Sequence, residues 1–423
     1  MPAVFIEHPA RRRVSDEMHA RPFALLQAPV RLSHLAILSD KADPALLSLC
    51  DRLGIAAPES VPPQFAAEFK GGWLRWERHA EFSSLTVGRS GAFDEPFAET
   101  ALALLPVDWL ETLPGGVVAA AHIAMDATLR SAEDMAVMFA GHPVVGSTMV
   151  GGRAEAFTDL HLHDDGCGRI LIYDQGLTAG QAGRLTQRLL EIETYRALAL
   201  LALPQAREAS ADLAKAAPQL KTIMAALAGP EEGPGADREL LGWLTMLAAQ
   251  VEHLGAANSY RFSAARAYAA LVWKRLDELR EVRIAGMQTF SEALGRRFTP
   301  AIDTIDHCSN RIEALAQHIS RAGDLLRTRV DIALEEKNRD LLKSMDRRAA
   351  LQLRLQETVE GLSVVAISYY LLGLIGYIAK GLKAAGLHID SDLSAMAALP
   401  IVVGAVIIGV RRLRRAIGGD EKH

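Results

Sequence analysis

The chain has 423 residues, of which 50% are hydrophobic and 23% charged, and its formal net charge at pH 7 is −5. This length allows two or three domains, and the acidic balance argues against nucleic-acid binding, which usually requires a strongly basic surface. The three cysteines (Cys50, Cys167 and Cys308) lie far apart and form neither a disulfide framework nor a zinc motif, so a reducing compartment is favoured.

The chain starts with MPAVFIEHPARRR, which lacks the apolar region of a secretory signal, so we expect no cleavable signal peptide. The segment EMHARPF follows and contains Glu17, His19 and Arg21. A carboxylate and an imidazole followed by an arginine could form an acid–base pair with an anion clamp. The alternative is a loop anchored by its proline and by a salt-bridging arginine.

Residues 1–205 are predicted to form an α/β cytosolic body, of the α+β class, in which helices pack on a mixed sheet. Short segments rich in β-forming residues and bounded by Gly, Pro or Asp predict strands. They are Val30–Asp40, Gly72–Gly88, Gly116–Asp126, Ala154–His163 and Arg169–Gln175. Helical patterns lie between and after them, at 44–54, 131–141 and Gly180–Leu203, and Val150–Arg153 predicts a turn.

The segment WERHAEF lies within the second predicted strand. Side chains alternate along a strand, so Glu77, His79 and Glu81 should share one face. This row could take part in acid–base chemistry, with Glu77 and His79 as the candidates, or it could be an ordinary solvated strand face.

The segment DLHLHDD gives the sharpest chemical hypothesis. If it is a strand, Asp159, His161, His163 and Asp165 project to one face. Imidazole and carboxylate ligands of this kind could hold a divalent metal ion such as zinc, manganese or iron. The alternative is a half-buried strand whose wet face is merely polar.

Residues 206–360 predict a region of long helices that forms a stalk. The Gly/Pro/acid stretch Ala228–Asp237 predicts a linker, and Arg238–Leu254 and Ala264–Leu294 predict helices. About 60 residues without proline follow Pro300, and their apolar positions show the 3–4 spacing of a coiled coil. These positions are Ile305, Cys308, Ile312, Leu315, Ile319, Ala322 and Leu326, continuing out of phase at Val330, Leu334, Leu341 and Met345. They require partners, which could come from the same chain or from other copies of it.

Residues 361–415 predict a transmembrane hairpin. Two segments without charged residues, at about 361–379 and 393–410, are each long enough to cross the ~30 Å hydrocarbon core as a helix. Pro400 should kink or break the second helix locally. The alternative is a buried hairpin in a soluble core. Residues 416–423 form a polar tail.

Basic residues flank the predicted hairpin on its outer sides. They are Lys343, Arg347, Arg348 and Arg354 before the first span, and Arg411, Arg412, Arg414 and Arg415 after the second. The positive-inside rule therefore predicts that the N- and C-termini are both cytoplasmic. Attraction to anionic lipid headgroups would hold the same residues at the bilayer surface.

Over nearly the whole chain, the sequence resembles an uncharacterised family of bacterial membrane-anchored proteins. The resemblance is carried by the segments EMHARPF, ERHAEF, EIETYRALALLALP and TVEGLSVVAISYYLLGLIGYIAKG.

The architecture is also similar to the CorA class of divalent-cation channels, which have a Gly-Met-Asn motif at the end of the first span. GYIAKGLKAAG stands there in this chain, and its Lys380 and Lys383 would repel a divalent cation.

The sequence contains no P-loop, dinucleotide-binding, nucleophile-elbow or HExxH motif. The leading hypothesis is therefore a membrane-anchored cytosolic protein of unassigned activity that binds a ligand or partner and forms a homo-oligomer. The alternatives are a CorA-like pore or ion transporter with altered selectivity, and a metal-dependent enzyme in the N-terminal body. The expected partners are the lipid bilayer and further copies of the chain, with no nucleic acid.

Overall fold

The computed structural model describes residues 8–12, 23–39, 41–229, 234–384 and 391–417. The strands are β1 (Val30–Ile37), β2 (Gln64–Phe69), β3 (Gly72–Arg78), β4 (Ser83–Ser90), β5 (Val117–Asp126), β6 (Val145–Met149), β7 (Ala154–Thr158), β8 (Gly168–Asp174) and β9 (Val282–Arg283). The helices are α1 (Asp43–Leu53), α2 (Val107–Leu110), α3 (Ala132–Met138), α4 (Ala179–Leu200), α5 (Ala202–Ala228), α6 (Pro234–Leu279), α7 (Phe290–Ala384) and α8 (Ser391–Ile417), with a 3-10 turn at Ala101–Leu104.

The described chain divides into two compact units. The first comprises Met1–Glu231 and Arg238–Gly323, and the second comprises Glu232–Asp237 and Asp324–His423. The first unit contains all nine described strands, in one mixed sheet of order β2-β3-β4-β1-β5-β8-β7-β6-β9. Of the pairings along this sheet, β5–β8 is parallel and the others are antiparallel. The predicted α+β class is confirmed.

Helices cover both faces of the sheet because alternate strand residues point to opposite sides. Leu32 of β1, Ile123 of β5 and Ile172 of β8 belong to a core that includes Leu185 and Leu189 of α4. The opposite face has two smaller cores. One packs Leu74, Trp76 and Leu85 against α1 and Trp109 of α2, and the other packs Ala124 and Leu171 against Met135 of α3.

The strand predicted at Gly72–Gly88 is in fact a hairpin, so its prediction as one element was wrong. β3 ends at Arg78 and β4 begins at Ser83. The turn between them is closed by the His79 N–H, which donates to the carbonyl oxygen of Phe82 at 2.8 Å, and by stacking of the two rings. The turn at Val150–Arg153 is confirmed between β6 and β7. Strands β2, β6 and β9 were not predicted.

The helix predicted at Ala264–Leu294 is interrupted, which corrects that prediction. Helix α6 ends at Leu279, and α7 begins at Phe290. Glu281 lies in the interruption, where its carboxylate accepts the N–H groups of Phe290 at 3.0 Å and Ser291 at 2.9 Å. It also accepts the Ser147 hydroxyl at 2.7 Å, so this carboxylate caps α7 and ties it to the sheet.

Helices α6 and the first part of α7 run antiparallel within the first unit. The ring of Trp273 lies 6.3 Å from that of Phe298, and Gly255 lies against Ile312 further along. Most of the predicted seam up to Leu326 is buried, with Leu315 half-buried. Because α6 belongs to the same chain, at least part of this seam is covered intramolecularly. Beyond Leu326 the seam positions are exposed: Val330, Leu334, Leu341 and Met345.

Helix α7 continues without a break through the first predicted span, because no proline follows Pro300 until Pro400. By length and composition, one helix among the described residues could cross a membrane, Phe290–Leu382, and its most apolar segment is only 11% buried. The second predicted span lies within α8, which stays helical through Pro400, so the predicted break is not observed. The link between these helices and the last part of the tail lie outside the described residues.

Candidate functional site

The strand predicted to carry the metal ligands ends early, so the strand-face prediction for DLHLHDD was wrong. Strand β7 stops at Thr158, and Leu160 has φ of +58°, a left-handed conformation that leucine rarely adopts. The Asp159 Oδ1 accepts the His161 N–H at 3.2 Å, which forms a local turn typical of aspartate. Strand alternation therefore cannot align residues 159, 161, 163 and 165.

Three of the four predicted ligands nevertheless converge, through this turn, with a histidine that was not predicted. We name Asp159, His142, His161 and His163 the histidine–aspartate cluster. The buried Asp159 Oδ2 lies 2.8 Å from His142 Nδ1 and 3.0 Å from His163 Nε2. His161 Nδ1 lies 2.7 Å from the Asp159 backbone oxygen, and its ring stacks on that of His142 at 4.3 Å between centroids.

Asp165, the fourth predicted ligand, lies instead beside His122 of β5, with 3.5 Å between Oδ2 and Nε2. Cys167 completes this second group, and its amide donates to Asp165 Oδ1 at 3.0 Å. Burial lowers the pKa of His122, against the opposing effect of Asp165, and burial raises the pKa of the Cys167 thiol to about 12. Cys167 is therefore a protonated thiol at neutral pH, which does not favour a nucleophile or thiolate ligand.

Glu77 and His79, the other described candidates, line a cleft between the sheet and α4, which we name the sheet–helix cleft. Arg75 lies on the same strand face and donates to Glu77 at 2.7 Å. Glu81 departs from the predicted row, because it forms a two-pronged ion pair with Arg261 of α6. The predicted polar row is therefore divided: Glu77 and His79 line the cleft, whereas Glu81 forms an ion pair with α6.

The sheet–helix cleft combines aromatic walls with polar groups. Trp73, Phe82 and Tyr195 provide the walls. His34 lies at the base, where its ring nitrogens contact the Thr86 hydroxyl at 2.8 Å and the Thr194 hydroxyl at 3.1 Å. Burial, helped by the nearby charge of His79, lowers the pKa of His34 to about 4, so this imidazole is neutral at physiological pH.

One polar group of the cleft remains unsatisfied among the described residues. Thr186 of α4 is 3% exposed, and its hydroxyl finds no hydrogen-bond partner. Leaving a buried hydroxyl unpaired costs about 1–3 kcal/mol, so such groups are uncommon unless a ligand or water completes them. Among the polar side chains that line the cleft, this hydroxyl is the one without a partner in the described part of the chain.

Glu17, His19 and Arg21 lie outside the described residues. The chain is described again from Phe23, whose ring lies 4.7 Å from the Arg184 guanidinium. Ala24 then runs so close to Gly183 that a methyl group there would lie 1.7 Å from the Ala24 oxygen.

Sequence reasoning missed two residues of these sites for different reasons. His142 stands alone in the sequence, and only the end of α3 brings it to Asp159. Thr186 follows the ordinary inward spacing of an amphipathic helix, so nothing in the sequence separates it from core residues. The sequence does contain a local signal for the start of α4, the helix that carries Thr186. This signal is the Thr178–Gln181 capping box, beside the cleft.

Comparison with known proteins supports the family resemblance. A family described as a protein of unknown function, DUF3422, matches residues 6–417, and the chain belongs to this family. No curated protein matches the chain. The resemblance to CorA-type channels remains a prediction from architecture.

Proposed function

We propose that this member of the DUF3422 family is a membrane-anchored protein that binds a small ligand in its sheet-containing unit. The observation that carries the anchor is the exposure of the apolar part of α7. Between residues 361 and 379, nine large side chains are more than a third exposed: Leu362, Val365, Ile367, Tyr369, Tyr370, Leu371, Leu374, Tyr377 and Ile378. Each fully exposed side chain of this kind forgoes roughly 1.5–3 kcal/mol of burial free energy in water, and lipid removes this penalty.

The pattern of partial burial supports a hairpin of α7 and α8. The shielded positions of α7 follow one face at Val364, Ser368, Leu372, Ile375 and Ala379, and those of α8 follow one face at Ala398, Val402 and Val406. Two membrane helices that pack together shield one stripe on each and leave the rest to lipid. We therefore place spans at about 361–379 and 393–410, with the domain boundaries at about 205 and 360.

The charges favour one orientation for this hairpin. Arg411 and Arg412 are exposed on α8, and the side chains of Arg414 and Arg415 lie outside the described part of that helix. Together with the basic residues before the first span, they support cytoplasmic termini by the positive-inside rule, and the family resemblance supports a bacterial inner membrane.

Membrane extraction and reporter fusions test the anchor. We expect alkaline carbonate to leave the full-length chain in the membrane pellet, and a reporter joined to His423 to be active only in the cytoplasm. Changing Arg411, Arg412, Arg414 and Arg415 to glutamate should weaken this orientation, whereas the same change at Arg327 and Arg339, which lie before the spans, should leave it intact. Release of the unaltered chain by carbonate would refute the anchor.

The unpaired Thr186 hydroxyl supports ligand binding in the sheet–helix cleft. The charged groups there occur as opposed pairs, Arg75 with Glu77, and Glu191 with Arg275. Aromatic walls and paired charges suit a small planar or aromatic molecule that carries a hydrogen-bonding group and little net charge.

Retention of a small molecule during purification tests this cleft. Native mass spectrometry of the full chain in mild detergent should show a bound species of low mass. Thr186→Val should weaken its binding by about tenfold for one lost hydrogen bond, and so lower its occupancy. Val matches threonine in shape, so folding should be retained. Equal occupancy in both proteins would place the molecule elsewhere, and an empty wild-type chain would contradict the proposal.

The exposed apolar positions of α7 beyond Leu326 support a homo-oligomer. Leu334 is 59% exposed and Leu341 is 60% exposed, at the spacing of a helical seam. In copies anchored in one membrane by the same span, the α7 helices are parallel and at the same height above the bilayer. The exposed seam of one copy can therefore pack against the same seam of another.

Engineered cysteines test this association, because Cys50, Cys167 and Cys308 are buried. We expect Leu341→Cys to form disulfide-linked copies in oxidised membranes, whereas Arg339→Cys, on the other side of the helix, should not. Exclusively monomeric Leu341→Cys would refute the association. Closed rings of several copies would favour the CorA-like pore alternative.

A further inference from the structure

We propose that the histidine–aspartate cluster is a binding site for a first-row divalent transition-metal ion, of which zinc is the representative. One ligand atom from each of His142, Asp159 and His161 lies within 4.8 Å of the others. Tetrahedral zinc with bonds of about 2.1 Å holds its ligand atoms about 3.4 Å apart, so binding would draw these side chains closer together. This site is separate from the sheet–helix cleft and does not depend on ligand binding there.

The hydrogen bond of His161 prepares its ring for a metal. A backbone carbonyl can only accept, so the 2.7 Å contact with the Asp159 oxygen requires the proton of the neutral ring to be on Nδ1. The lone pair is then on Nε2. Metal-binding histidines are commonly fixed in this way, with one ring nitrogen donating to a carbonyl while the other binds the ion.

A buried nitrogen points to the same ion. The side chain of His163 is 4% exposed, and its Nε2 lies 3.0 Å from Asp159 Oδ2. The approach is not aligned for a hydrogen bond, so this nitrogen has no hydrogen-bond partner among the described residues. A cation bound by the Asp159 carboxylate would lie near this unpartnered nitrogen, and it would neutralise a carboxylate whose side chain is fully buried.

The donor set selects the class of ion. The two imidazoles of His142 and His161 with the Asp159 carboxylate suit zinc, iron, cobalt or nickel, whereas magnesium and calcium prefer oxygen ligands alone. The ion also has a route of entry. His142 is 37% exposed at its side chain and lines an open cleft with Arg130, Phe157 and Tyr173.

The test uses the full-length chain in detergent, stripped with a chelator and titrated with Zn²⁺ by calorimetry and with Co²⁺ by visible absorption. We expect one equivalent to bind and the cobalt complex to show the bands of nitrogen and oxygen ligation. His142→Ala, His161→Ala and Asp159→Asn should each weaken binding by roughly 100-fold, in line with the loss of a ligand or its support. The exposed His253 provides the matched control, and His253→Ala should leave binding unchanged.

A further variant separates this site from the neighbouring group of His122, Asp165 and Cys167. His122→Ala should retain the bound equivalent. If His122→Ala abolishes binding while His142→Ala does not, the ion belongs to the other group and the proposal is wrong. The wild-type measurement does not depend on whether any variant folds. If the stripped wild type fails to bind one equivalent of the ion, the metal-site proposal is also refuted.

Discussion

Replacing His34 by glutamine should remove a large part of the acid sensitivity of the first unit. His34 is buried at the base of the sheet–helix cleft, and its pKa is lowered to about 4 from an ordinary value of 6.5. This difference corresponds to about 3 kcal/mol between the folded and unfolded states. Glutamine can keep hydrogen bonds to Thr86 and Thr194, but it does not titrate.

The direction of the effect follows from proton uptake. Between about pH 6.5 and pH 4 the unfolded chain protonates at His34, whereas the folded chain does not, so lowering the pH favours unfolding. Above this window His34 is neutral in both states, and below it both are charged. The contribution of His34 is therefore lost as the pH falls from about 6.5 to about 4, and no further loss occurs beneath that.

Urea unfolding in mild detergent, followed by tryptophan fluorescence, measures this contribution. The free energy of unfolding of the wild type should fall by about 3 kcal/mol more than that of His34→Gln between pH 7.5 and pH 4. His253→Gln changes an exposed histidine and should follow the wild type. Parallel curves for wild type and His34→Gln would show that His34 takes up its proton equally in both states, and would refute the reasoning.

Three further substitutions test the packing of the first unit, each by thermal or urea unfolding. Gly183→Ala should cost about 1–3 kcal/mol, because its methyl group would clash with the Ala24 oxygen, whereas Gly242→Ala meets no neighbouring atom and should be neutral or stabilising. Glu281→Ala should cost about 2 kcal/mol by uncapping α7, with Glu281→Gln intermediate, and equal stability of all three proteins would contradict the capping role. Trp76→Ala should cost about 3–5 kcal/mol, because this fully buried ring fills the core beneath α1, and a loss below 1 kcal/mol would contradict that packing.

The strand and helix predictions succeeded where local pattern and tertiary environment agree. Strand β1 is a fully buried, mostly apolar segment between turn residues, and α4 has both an inward stripe and a capping box. Strand β9 failed because two residues carry no pattern, and only pairing with β6 makes them a strand. The break after α6 was missed although Thr289 and Glu292 form the capping box that signals a new helix.

The candidate sites show the same division. The sequence identified His161 and Asp159 as chemically notable, but it assigned them a shared strand face. In the structure these residues lie in a turn, Asp165 lies beside His122 instead, and His142 lies beside Asp159.

By itself, the sequence determined the α+β class, the long helix and the two apolar segments near its end, because periodicity and hydrophobic length are local properties of the chain. Only the tertiary structure decided which histidines meet around Asp159 and which chain covers the buried part of the α7 seam. Those outcomes depend on contacts between residues distant in sequence, such as Gly255 with Ile312. Such contacts are set by how whole elements pack, and no short stretch of residues encodes them.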